Sequence, residues 1–177
     1  MRWFSKTARL RLAKEQTVLV SLVVAYVATG KLGLMLPPHS HQAVSLVWAP
    51  AGIALGAFVV LGYRIWPAIL TGSVLLYVTA IGAVPGILAM ATGNTVEGLL
   101  TAYLINRFAG GRNALQSPEN TVRFAGLIVL SSTTISATCS ATTLAVTGLA
   151  GWNEYGAIWT DASLGNMTGC LLVAPLV

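Results

Sequence analysis

Residues Thr17 to Leu36 read TVLVSLVVAYVATGKLGLML, an apolar run whose only charge is Lys31. Its length matches the ~20 residues that carry a helix across a bilayer. Before it stands a basic stretch, Met1 to Lys14, with Arg2, Lys6, Arg9, Arg11 and Lys14. A cleaved signal peptide has a shorter apolar core and a small-residue cleavage site. The run therefore reads as a retained first transmembrane helix behind a basic cytoplasmic tail. Composition agrees along the whole chain. Its 177 residues are 55% hydrophobic and 8% charged, where a soluble domain carries about 25% charged residues. Lipid is the solvent in which this balance makes sense.

Working outward, the expected architecture is all-α: a polytopic transmembrane bundle of about six helices spanning 15–177. The helices are expected near 17–36, 44–62, 66–82, 85–108, 121–148 and 155–177. Pro37-Pro38 ends the first, Tyr63-Arg64 turns the second into the third, and Pro85 suits the first turn of the fourth. Gly110-Gly111 and Ser117-Pro118 mark the one obvious loop, and the fifth helix is long enough to tilt. With the N-terminus in the cytoplasm, the inner side holds Arg2, Lys6, Arg9, Arg11, Lys14, Arg64, Arg107, Arg112 and Arg123, nine of the ten Lys and Arg residues. That asymmetry supports both helix count and orientation. The net charge of +5 then faces anionic headgroups and calls for no nucleic-acid partner. Apolar sequence continues to Val177 without a basic stop, so the bundle is expected to be incomplete there.

Ionisable groups inside a membrane are costly and are functional candidates by default. Lys31, Glu97 and Asp161 qualify, with Asn94 and Asn166 as uncharged companions. Lys31 and Asp161 lie at similar depth near the outer side and can pair; the plainer reading has Lys31 snorkelling outward and Asp161 at the wet interface. Glu97 lies deeper. Asn94 precedes it by one helical turn, and Asn166 is near the same depth, so a Glu97–Asn94–Asn166 cluster is geometrically allowed. Such a carboxyl can sense protons or hold a cationic or hydrogen-bonding ligand. The plain alternative is a neutral glutamic acid tying helix to helix.

Ser132, Ser136, Ser140, Thr143 and Thr147 form one hydroxyl stripe, read first as close helix packing and second as a polar ligand track. Gly52-x-x-x-Gly56 and Gly165-x-x-x-Gly169 suit close helix contacts. Trp48, Trp66, Trp152 and Trp159 sit near helix ends, as an aromatic belt places them. Cys139 and Cys170 read as small buried hydrophobes. His39 and His41 are two potential ligands where a metal site takes three or four, so a solvated turn is the simpler reading. No metal or other cofactor is expected, and no Walker loop, metalloprotease motif or nucleophile elbow occurs. This segment is not expected to be an enzyme.

Four stretches carry a resemblance. They are Leu46-Val47-Trp48-Ala49-Pro50-Ala51-Gly52, Leu61-Gly62-Tyr63-Arg64-Ile65-Trp66-Pro67, Gly93-Asn94-Thr95-Val96-Glu97, and Gly165-Asn166-Met167-Thr168-Gly169 followed by Ala174-Pro175. Their order and spacing resemble the bacterial membrane-associated sensor domain of the first MASE type, over roughly Thr17 to the end. The resemblance implies a multi-pass input domain in the bacterial inner membrane that responds to a small ligand or a membrane change. It also implies fusion, in the full-length chain, to a histidine kinase or a cyclic-di-GMP enzyme, and a homodimer by analogy with sensor kinases. Two positions depart from the pattern: Ala49 stands where a second proline is common, and Asn166 where an aspartate is frequent. The rival class is a substrate-binding membrane subunit of a small-molecule transporter, which would need an energising partner. A structural subunit without a ligand is a third.

Overall fold

A computed structural model describes residues 6–36, 44–82, 85–131 and 134–177, with side chains from Lys14 onward. Helix dominates the described residues, and no strand occurs among them. The helices are α1 (Lys6–Leu34), α2 (Ala49–Leu61), α3 (Trp66–Ile81), α4 (Ile87–Phe108), α5 (Pro118–Ser131), α6 (Ile135–Val146) and α7 (Tyr155–Val173). α5 and α6 share the segment that the sequence predicts as one fifth helix, and residues 132 and 133 between them lie outside the described residues. Counted as one unit, they complete the six predicted helices. Among the described residues, three stretches are long and apolar enough to cross a membrane: Lys14–Leu34, Tyr63–Ile81 and Pro118–Val146. α4 stands at the centre, packed against α2, α3, α5 and α6.

Three boundaries differ from expectation. α1 already runs from Lys6, the first described residue, so helix extends well into the basic stretch. α7 stops at Val173, and a single 3-10 turn, Ala174–Leu176, follows. α2 begins at Ala49 and not near Val44. Pro50 explains the last. Inside a helix it would remove one backbone bond and drive its ring into the carbonyl of Leu46; in the first turn it costs nothing. α2 is consequently only 13 residues long, and Val44–Trp48 enters it as non-helical chain. At the other end, Gly62 (φ 88°) closes α2 with its N–H on the Phe58 carbonyl. The 3-10 turn Tyr63–Ile65 then leads into Trp66 and Pro67 of α3.

Non-helical backbone in an apolar interior needs polar partners from the protein, and α7 supplies them. The Trp48 N–H donates to the Gly165 carbonyl at 2.9 Å, and Thr168 Oγ1 donates to the Leu46 carbonyl at 2.6 Å. The glycines of α7 make the approach possible. A Cβ on Gly165 would stand 2.0 Å from the Ser45 carbonyl oxygen, and one on Gly169 the same distance from that of Trp48. Gly52 of α2 answers across the seam, where a Cβ would lie 2.2 Å from the Gly169 oxygen. Both Gly-x-x-x-Gly stretches therefore face one another, as close packing requires.

Gly165→Ala and Gly169→Ala are each expected to destabilise the bundle by ~2 kcal/mol or more, the overpacking range where neither side can move aside. Reversible unfolding in detergent micelles measures this. Gly156→Ala, with nothing within 4 Å, should stay within about 0.5 kcal/mol of the parent.

Candidate functional site

The site grows from α4. Glu97 is 4% exposed and reaches two other helices. Its Oε2 accepts the backbone N–H of Ser136 at 2.8 Å, and its Oε1 accepts from Asn166 Nδ2 at 3.1 Å. Asn166 Nδ2 also lies 2.5 Å from Ser136 Oγ. Ser136 sits in the first turn of α6, where backbone N–H groups lack partners within their own helix. Its N-cap, Thr134, makes no side-chain bond to the helix. Glu97 therefore caps α6 from a different helix, and the positive end of the α6 dipole favours a carboxylate there. Asn166 of α7 holds that carboxylate in place. One buried acid ties α4, α6 and α7 together.

Asn94 lies one turn before Glu97 yet serves a different set of helices. Its Nδ2 is 2.9 Å from Tyr77 OH, 3.1 Å from Ser73 Oγ and 3.4 Å from Tyr26 OH. The two tyrosines and Ser73 are buried, so α1, α3 and α4 meet on this amide. Trp48 covers the cluster, with its ring stacked on Tyr77 at 6.4 Å between centroids. Below Glu97, Thr101 Oγ1 lies 2.8 Å from the Glu97 carbonyl oxygen and 2.8 Å from Ser131 Oγ, tying in α5.

Two cavities flank the cluster. One, of about 10 Å³, is lined by Tyr26, Trp48, Asn94, Glu97 and Asn166 among others. The second, of about 20 Å³, lies among Ser45, Trp48, Tyr77, Asn94, Ser136 and Asn166. A water needs ~10–15 Å³, so each holds about one water and neither admits an organic ligand in this conformation.

The sequence-predicted residues divide accordingly. Glu97 and Asn166 come together. Asn94 lies beside them but bonds elsewhere. Lys31 and Asp161 do not form the ion pair considered above: Lys31 is exposed, Asp161 is buried, and no ion pair between them occurs among the described residues. Of the hydroxyl stripe, Ser136, Ser140 and Thr143 are buried, whereas Ser132 lies outside the described residues, as do His39 and His41. Gly93 lets α6 approach α4, since a Cβ there would come 2.8 Å from Cys139 Cβ. Tyr63 OH accepts from Asn106 Nδ2 at 2.8 Å, tying the α2–α3 turn to α4, while Arg64 and Trp66 are exposed. The residues that sequence reasoning missed are Ser136 as the capped N–H, and Tyr26, Ser73 and Tyr77. A tyrosine in mid-span was the available signal, because a buried phenol seeks a partner.

Asn166→Leu and Glu97→Leu should each lower stability by about 1–3 kcal/mol, the cost of leaving a buried partner unsatisfied. In a double-mutant cycle this pair should show a coupling of ~0.5 kcal/mol or more.

A family model, MASE1, matches residues 17–177. Comparison with curated proteins and with solved structures returned no match. The matched region takes in every helix and both halves of the polar cluster, and the apolar helices suit a membrane domain. MASE1 domains are sensory and not catalytic, and they occur in signalling proteins. The chain belongs to the MASE1 family of membrane-associated sensor domains.

Proposed function

We propose that this chain is the input domain of a bacterial signal-transduction protein, that it sits multi-pass in the inner membrane with its N-terminus in the cytoplasm, and that the Glu97 joint is its moving part. The observation that carries the reading is the Glu97 carboxylate capping α6 while held by Asn166 of α7. A cap made between helices is a two-state contact. Made, it fixes α4, α6 and α7 in one packing; broken, it leaves a buried N–H, a buried amide and a buried acid, each costly in an apolar interior. The bundle then favours a different packing that satisfies them.

A stimulus acts on this equilibrium only through unequal affinity for the two states. The water-sized cavities beside Glu97 supply room for a proton or a water to enter, and displacing Trp48 would enlarge both at once. The movement would pass along α7 to a cytoplasmic output module, a histidine kinase or a cyclic-di-GMP enzyme, carried by the full-length protein. The basic residues at the α1 start, in the α2–α3 turn and in the α4–α5 loop support the orientation, and domain 15–177 then reads as the sensory unit behind its basic leader.

The test uses the full-length protein in native membrane vesicles, with output activity measured at matched expression. Glu97→Gln, Asn166→Leu and Asn94→Leu should each shift basal output or its response by about fivefold or more, the lower end of ordinary allosteric coupling. Val122→Ala, on an exposed face, should match the parent. Unchanged output in all three site variants would overturn the proposal.

A further inference from the structure

A separate groove opens where α1 meets the turn between α2 and α3. It has a volume of about 360 Å³ and is lined by Lys14, Glu15, Val18, Leu61, Arg64 and Ile65, among others. Its place in the bilayer follows from the two apolar stretches that start at its rim. Lys14 stands one helical turn before the apolar run that starts at Thr17, and Arg64 lies at the start of the span Tyr63–Ile81. Both cations border one groove, so both lie at the same bilayer surface, at headgroup depth. Below them the walls are apolar: Val18 and Leu61 are exposed within the groove and Ile65 is buried at its base. Among the described residues, neither Lys14, Arg64 nor Glu15 takes part in an ion pair.

We propose that this groove binds an anionic glycerophospholipid, with its phosphodiester between Lys14 and Arg64 and the upper part of an acyl chain along Val18 and Leu61. Charge selects the occupant. The two cations and the Glu15 carboxylate leave one positive charge in surplus, which matches a singly charged phosphoglycerol headgroup. An apolar wall below a cationic rim suits an amphiphile and offers nothing to a free phosphate. Seated there, the lipid bridges α1 to the α2–α3 turn. This site is independent of the Glu97 joint and does not rest on the sensory reading.

Native mass spectrometry of the whole chain released from discs of mixed phosphatidylglycerol and phosphatidylethanolamine tests the proposal by counting retained lipids. The parent should retain phosphatidylglycerol in preference to phosphatidylethanolamine. Lys14→Gln and Arg64→Gln should each weaken retention about fivefold, and together about 25-fold, the worth of one and two basic side chains at an anionic surface. Glu15→Gln should strengthen retention, and Arg123→Gln, outside the groove, should leave it unchanged. The varied side chains are exposed, so helical content by circular dichroism should be preserved throughout. Equal retention of the two lipids by the parent, or undiminished retention by the double variant, would overturn the proposal.

Discussion

Backbone without a partner is the constraint on which this structure turns. Val44–Trp48 runs un-helical into the bundle, so its N–H and C=O groups find no partners in a helix of their own and need others. α7 offers its Gly165 carbonyl and its Thr168 hydroxyl. That arrangement dictates glycine at 165 and 169, because any side chain there would strike the carbonyls of Ser45 and Trp48. It fixes the start of α2 at Ala49–Pro50. It also lays the Trp48 ring over the polar centre, stacked on Tyr77. Residues far apart in sequence are bound into one seam by a single requirement.

Beneath that seam, α4 carries two polar residues with separate duties. Asn94 gathers α1 and α3 through Tyr26, Ser73 and Tyr77, and Glu97 gathers α6 and α7 through Ser136 and Asn166. The result is a central helix that reaches almost every neighbour by hydrogen bonds as well as by packing. Asn166 matters as an amide. An ionised aspartate in its place would have no N–H to offer Glu97 or Ser136, and two carboxylates at this separation would repel. The cavities beside the cluster are of water size, so the site is closed in this conformation and opens only by movement of Trp48 or its supporting chain.

Much of this was legible in the residues alone. Apolar run length delivered the helices, and counting residues for depth brought Glu97 level with Asn166. Paired Gly-x-x-x-Gly stretches announced a close helix contact without naming its partner. What escaped was local chemistry that depends on a third element. Pro50 already argued for a helix starting at Ala49, yet the apolar residues before it read as more helix. The fifth predicted helix is described as α5 and α6, with residues 132 and 133 between them outside the described residues. Nothing in the sequence said that a carboxylate from α4 would cap α6. Lys31 and Asp161 lie at similar depth, which is not a shared face: Lys31 is exposed and Asp161 is buried.

The closed polar centre depends on Val44–Trp48 being docked on the glycine face of α7 in a bilayer. Solid-state nuclear magnetic resonance of the protein in lipid, with ¹⁵N-labelled tryptophan and ¹³C-carbonyl-labelled glycine, measures this through dipolar dephasing. Trp152→Phe removes the directly bonded Gly151–Trp152 background. A hydrogen bond of 2.9 Å from the Trp48 N–H to the Gly165 oxygen places the labelled nitrogen and carbon about 4 Å apart once the carbonyl length is added. Dephasing at that distance, lost on Trp48→Phe, is the predicted result. No coupling between the two labels would mean that the segment lies elsewhere, and the closed polar centre beneath it would have to be abandoned.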